Sequence, residues 1–116
     1  MATQYLGAGT FIANTTITAF LGVVISNNRG VGLSTTGACD GFAQVDGATN
    51  DYVSVAFLTN NGTLKGTITA APVTVGDTIY LGASGQVSTT GTVTIGKALT
   101  TATTNGSVIE FIPKNV

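Results

Sequence analysis

Apolar and polar residues alternate in short runs along most of this chain, and Gly, Asn, Asp or Pro ends each run. Period-two alternation puts successive side chains on opposite faces of an extended strand, so the pattern predicts β-structure. The clearest run, 52–58, reads Tyr-Val-Ser-Val-Ala-Phe-Leu and is followed by Asn60-Asn61-Gly62. Asn-Gly tolerates the positive φ of tight turns, so a strand over 63–69 is expected to fold back on 52–58 as a β-hairpin. Ala71-Pro72 then breaks the pattern. Further strands are expected over 78–81 and 86–88, joined by a turn at Gly82-Ala83-Ser84-Gly85, and within 92–100, where Gly96 predicts a bulge or a close backbone approach. The last strand, 107–112, places Ile109 and Phe111 on one face and Val108, Glu110 and Ile112 on the other, and Pro113 is expected to stop it.

Weaker strand patterns cover 10–13, 16–20, 22–26, 31–33 and 41–45, with a turn at 27–30. No segment spaces its apolar residues for a helix, which predicts an all-β fold, a small β-barrel or β-sandwich. Residues 1–9, in which Tyr5 and Leu6 are the bulky apolar groups after Met1, read as an extended N-terminal arm that gains order by lying along something else. Residues 10–116 read as a single β domain, and no internal repeat stands out.

Composition narrows the function. The chain of 116 residues has no His, no Trp, one Cys and 8% charged residues. Acid–base catalysis, metal binding and nucleic-acid binding each need side chains this chain scarcely has, so no enzyme, cofactor, metal site or nucleic-acid partner is expected. The longest apolar run, Phe20 to Ile25, is far below the about 20 residues a membrane-crossing helix needs, and no membrane partner is expected. Met1 to Leu6 lacks the marks of a secretory signal and Cys39 has no second cysteine, which points to synthesis in a reducing cytoplasm. A net charge of −1 on a chain that is 43% hydrophobic favours association, so the surface reads as one to be covered by sister subunits or a larger partner.

Candidate chemistry is thin. Cys39 has no histidine to activate it and reads as a small, inert, partly buried side chain. Asp40, Asp46 and Asp51 lack the spacing of a calcium loop and read as turn-forming, solvent-facing residues, and Asp77 reads as a turn residue whose carboxylate accepts from the turn's backbone. Lys97 and Glu110 fall on neighbouring predicted strands and are candidates for a cross-strand ion pair worth about 0–1 kcal/mol if exposed. Phe11 and Phe20 are expected in the core, whereas Tyr5 suits a core position and an anchoring role equally.

The order Tyr52–Leu58, Val75-Gly76-Asp77, Thr78-Ile79-Tyr80-Leu81, Gly85-Gln86-Val87, Ile95-Gly96-Lys97-Ala98-Leu99 and Ser107-Val108-Ile109-Glu110-Phe111-Ile112 resembles the capsid decoration, or head cement, proteins of tailed phages, and the opening Met1-Ala2-Thr3-Gln4-Tyr5 resembles their arm. The resemblance implies a non-enzymatic protein on the outer surface of the virion, made in the host cytoplasm. It would bind the major capsid protein and clamp neighbouring capsomers, commonly as a homotrimer, with Thr3, Gln4, Tyr5 and Leu6 as candidate partner contacts. The alternatives are a glycan-binding or fibre-tip module and a structural subunit of a tail tube or filament.

Overall fold

The computed structural model describes residues 8–26, 29–34, 38–58, 62–69 and 71–113. Strands β1 (Ala8–Ala13), β2 (Gly22–Ser26), β3 (Gly30–Leu33), β4 (Gly41–Ala43) and β5 (Tyr52–Phe57) form a closed barrel in the order β1-β3-β2-β4-β5, and β5 closes onto β1 with Phe11 facing Val53. Barrel diameter grows with strand number, so five strands leave room only for compact side chains. The inward positions are accordingly Ala13, Ile17, Val23, Val31, Ala43, Val53 and Val55, with Phe11 as the one large ring.

The remaining strands, β6 (Leu64–Thr67), β7 (Thr78–Leu81), β8 (Val87–Ser88), β9 (Thr94–Ala98) and β10 (Val108–Pro113), form a second sheet in the order β6-β10-β9-β7-β8, with a 3-10 turn at Ala83–Gly85. A parallel bridge between Ile68 and Val87 and a 2.9 Å hydrogen bond from Thr69 N–H to the Val87 carbonyl bring β8 back to the chain just past β6. The cyclic order is therefore that of the first barrel, with β6 to β10 standing for β1 to β5. Even the one parallel contact recurs, Ala13 with Val31 in the first barrel and Ile68 with Val87 in the second.

The loops repeat as closely as the strands. Ile17 and Gly47 exchange two backbone hydrogen bonds of 2.8 Å, and Val73 and Ala102 exchange two of 2.9 Å. Phe20 N–H donates to the Ala43 carbonyl where Gly76 N–H donates to that of Ala98, and Asn50 N–H donates to Ala13 where Gly106 N–H donates to Ile68. The turns share their handedness as well: φ is +69° at Phe20 and +94° at Gly76, +75° at Asn50 and +85° at Gly106. The chain is thus an internal structural repeat, contrary to the sequence reading. What the halves share is backbone bonding and turn geometry, which different residues satisfy.

Several strand expectations change. The hairpin between 52–58 and 63–69 does not form, because both edges of β5 are taken by β1 and β4 while β6 pairs with β10; Asn60 and Asn61 of the expected turn lie outside the described residues. Segment 16–20 is not a strand: only Ile17 makes a bridge, and the left-handed Phe20 curls the chain. Ala8 and Gly9, placed in the arm by sequence, belong to β1, while residues 1–7 lie outside the described residues. Pro113 ends β10 from within, facing Gly96, and no β6 residue runs beside it to require its missing N–H. Gly96 fulfils the close-approach expectation, since a Cβ there would collide with the Ile112 carbonyl.

The barrels share a core. Phe42 on β4 and Ala56 on β5 point out of the first barrel and join Ile68, Ile79, Leu81, Val87, Ile95, Ile109 and Phe111 of the second. The Phe42 ring meets Phe111 edge to face at 5.2 Å and 68°, and Gly66 on β6 leaves space that Phe42, Phe111 and Val87 occupy. A 2.9 Å hydrogen bond from Thr67 N–H to the Phe20 carbonyl ties the same junction. Phe42→Ala is expected to cost about 3–5 kcal/mol, the usual range for a fully buried Phe. Because the core is shared, thermal unfolding of the variant should remain one transition at a lower midpoint; separate transitions for the two barrels would contradict the shared core.

Candidate functional surface

The four aspartates singled out by sequence all bind backbone. Asp46 Oδ1 accepts from Ala19 N–H at 2.7 Å, Asp40 Oδ2 from Ile25 N–H at 2.8 Å, Asp51 Oδ2 from Ala48 N–H at 3.0 Å and Asp77 Oδ2 from Thr74 N–H at 2.9 Å. The turn reading therefore holds for Asp51 and Asp77, whose bonds span three residues, whereas Asp40 and Asp46, though exposed as expected, tie N–H groups 15 and 27 residues away in the chain. Asp46 and Asp51 line one open depression with Thr16, Thr18 and Gly47 where the two loops of the first barrel meet. Among the described residues no group of three or more His, Cys, Asp or Glu is placed to hold a metal ion.

Cys39 is half-buried at the junction, its sulfur against Gly22, and its thiol donates to the Gly41 carbonyl at 3.4 Å. The Ser34 hydroxyl lies close by, buried and without a well-formed hydrogen bond. Burial pushes the Cys39 thiol above its ordinary value, and the weak polar contacts from Ser34, Gly41 and Val23 offset this only in part. The neutral thiol is the form the fold favours, in line with the inert reading.

Lys97 and Glu110 do not pair. The β9–β10 register sets Lys97 opposite Ile112, and the β6–β10 register sets Glu110 opposite Lys65. Thr63 donates its hydroxyl to Glu110 Oε2, and the Lys65 ammonium sits 5.7 Å from the centroid of the Phe20 ring. Phe11 is in the first core, edge to face with Phe57 at 5.8 Å and with the Arg29 guanidinium 4.9 Å from its centroid. Phe20 is half-buried at the junction and so only partly fits its core expectation. Thr3, Gln4, Tyr5 and Leu6 lie outside the described residues.

The surface feature that the sequence reading did not single out is a set of uncovered apolar side chains. Tyr52 is 73% exposed, Val75 56%, Val108 45% and Val45 44%. These four lie where the paired loops close a barrel, Val45 and Tyr52 at the Ile17–Gly47 end and Val75 and Val108 at the Val73–Ala102 end, whereas Ile25 and Ile112, 45% and 47% exposed, lie near the other ends of β2 and β10. Tyr52 opens β5 and Val108 opens β10, matching positions of the repeat. The signal was legible in part, because Tyr52 and Val108 fall on the opposite strand face from Val53 and Ile109.

A doubled, all-β barrel with few charges, aspartates hydrogen-bonded to its own backbone and uncovered apolar side chains has the character of a structural or binding protein. The sequence matches the family model of phage cement proteins over residues 7–112, and the chain belongs to that family, whose members are structural proteins of the phage head. Comparison with curated proteins finds no match. Among solved structures, the N base of head fiber gp8.5 in bacteriophage phi29 has the same fold, with a TM-score of 0.73, 17% identity and 92% of each chain covered.

The raised Cys39 value has two measurable consequences. At pH 8 alkylation of Cys39 by iodoacetamide should be at least about 10-fold slower in the folded protein than in the urea-unfolded chain, because the thiolate is the reacting form. The stability that the neutral thiol contributes is fully present below its ordinary value of 9.0 and is lost as pH rises past it. Urea midpoints should thus fall more between pH 8 and pH 10.5 in the parent than in Cys39→Ala; equal falls would show that the thiol contributes nothing.

Proposed function

We propose that this protein decorates the outer surface of the assembled phage head, binding the major capsid protein and clamping neighbouring capsomers as a homotrimer. The observation that carries the reading is the cement-family match over nearly the whole chain. The surface supports it, since a net charge of −1 and uncovered Tyr and Val side chains suit burial against protein rather than free dispersal. A subunit that binds only the assembled shell stabilises that shell by mass action, and many copies multiply a small interface into a large effect. Its role is structural rather than enzymatic, and it is made in the host cytoplasm before joining the virion.

Thr3, Gln4, Tyr5 and Leu6 form the contact arm in this reading, ahead of a single β domain that begins at β1. The arm reaches a sister subunit or the capsid, and its short sequence gains order there.

The test is light scattering on the purified protein, alone and mixed with capsids that lack it. A trimer that loads onto capsids stoichiometrically is the expected result. A protein that ignores capsids but binds cell-surface glycans would restore the glycan-binding alternative, and an open filament would restore the tail-subunit one. Deleting residues 2–6 should weaken trimer formation or capsid binding at least about 10-fold, as losing a few contact side chains at about 1.4 kcal/mol in total would do. The thermal midpoint should stay put, because the deletion stops short of β1; unchanged assembly and unchanged affinity would end the arm hypothesis.

A further inference from the structure

We propose that Asn105 is a deamidation site that the fold holds shut. Its side-chain amide and the Gly106 N–H group that would attack it are each tied to another segment of the second barrel, so conversion to aspartate or isoaspartate waits for the turn to open. The inference stands apart from the capsid-binding reading and holds whatever the protein binds.

The argument starts from the sequence. In Asn105-Gly106 the residue after asparagine has no Cβ, so nothing shields its peptide nitrogen from the asparagine side chain. Base takes the Gly106 N–H proton, and the nitrogen attacks Cγ of Asn105. A bond forms between them, the Cγ–Nδ2 bond breaks, and the side-chain nitrogen takes a proton from solvent and leaves as ammonia. Water then opens the cyclic imide at either carbonyl, which yields aspartate or isoaspartate. Water is the one co-reactant. Both residues are exposed, so water and hydroxide reach them.

The structure opposes each requirement of that reaction. A 3.2 Å hydrogen bond from Ser107 N–H to the Thr104 carbonyl closes the turn. Asn105 Oδ1 accepts from Ala71 N–H at 2.7 Å, which holds the amide toward a segment 34 residues away. Gly106 N–H donates to the Ile68 carbonyl at 2.9 Å, so the attacking nitrogen keeps its proton while that bond is made. Ile68 N–H in turn donates to the Ser107 carbonyl at 2.9 Å. Because Ile68 is fully buried in the shared core and bridges to Val87, the anchor of the turn does not move with the surface. The reaction therefore needs a local opening that frees both the amide and the nitrogen.

The two products differ in consequence. Aspartate keeps a side-chain oxygen that can accept from Ala71 N–H. Isoaspartate routes the main chain through the side-chain carbon, which lengthens the backbone between Thr104 and Gly106 and misplaces the two bonds to Ile68. Opening thus admits the reaction and isoaspartate favours further opening, so Asn105 records how often this turn comes undone.

The experiment incubates the folded protein and the urea-unfolded chain at mildly alkaline pH and follows Asn105 by peptide mapping with mass spectrometry, with isoaspartate separated from aspartate by chromatography. Asn61-Gly62, the other Asn-Gly pair of the chain, gives in the unfolded sample the rate that sequence alone sets. Deamidation of Asn105 is expected to be at least about 10-fold slower in the folded protein than in the unfolded chain, as two hydrogen bonds of ordinary net strength imply. Ala71→Pro removes the donor to Oδ1 and is expected to raise the folded rate about 5-fold, the share of one such bond. Equal rates in the folded and unfolded parent would overturn the proposal, and so would a folded Ala71→Pro variant that deamidates no faster than the parent. Thermal midpoints check folding. If Ala71→Pro does not fold, Ile68→Val, which loosens the anchor by a methyl group, takes its place with the same two outcomes.

Discussion

A barrel whose strands run from three to six residues encloses little apolar volume, and small cores fall short of the entropy of ordering the chain. Here the shortage is met by pooling. Phe42 leaves the first barrel through β4, a strand buried on both faces, and completes the core of the second against Phe111. The second sheet needs that ring, because β6 and β8 are joined by a single bridge at Ile68 and Val87, and Gly66 opens the space the ring enters. The same junction holds Gly85 pressed against Gly22, the Thr67 to Phe20 hydrogen bond, and the crowding that buries Cys39.

Strands with strict alternation were legible in the sequence, above all β7 and β10, because one of their faces is core and the other is not, and β5, whose aromatic and β-branched run alternates until Ala56 turns to the second core. The turn roles of Asp51 and Asp77 were legible too, since a short carboxylate readily accepts from the N–H groups of its own turn, whereas the long-range partners of Asp40 and Asp46 depend on the fold. Partners across the sheets were not. Asn60-Asn61-Gly62 reads as a hairpin turn, yet the chain passes there from one barrel to the other, because pairing depends on which edges remain free and not on the turn alone. The ion pair expected of Lys97 and Glu110 failed for the same reason, as register is settled by the packing of the whole sheet.

The repeat escaped the sequence because its invariants are backbone properties. A reciprocal bond between loops can be made by Ile17 and Gly47 or by Val73 and Ala102 with equal success. The match between Tyr52 and Val108 escaped for a related reason: an exposed Tyr or Val is ordinary singly, and only the fold shows that the two open corresponding strands. Family membership and the doubled architecture thus bear on different questions, the first on where the protein works and the second on how its chain is built.

The turn at Phe20 shows that the two halves are no longer interchangeable. Its left-handed backbone costs a residue with a side chain about 1–2 kcal/mol, and the second barrel avoids that cost with Gly76. Phe20 is tolerated because its carbonyl holds Thr67 and its ring lies beneath the Lys65 ammonium, contacts that exist only where the second barrel adjoins the first. The duplicated plan therefore has a direction. A chain with its halves transposed would bring glycine to the seam and carry the strained phenylalanine to an outer turn, where nothing would hold it in place.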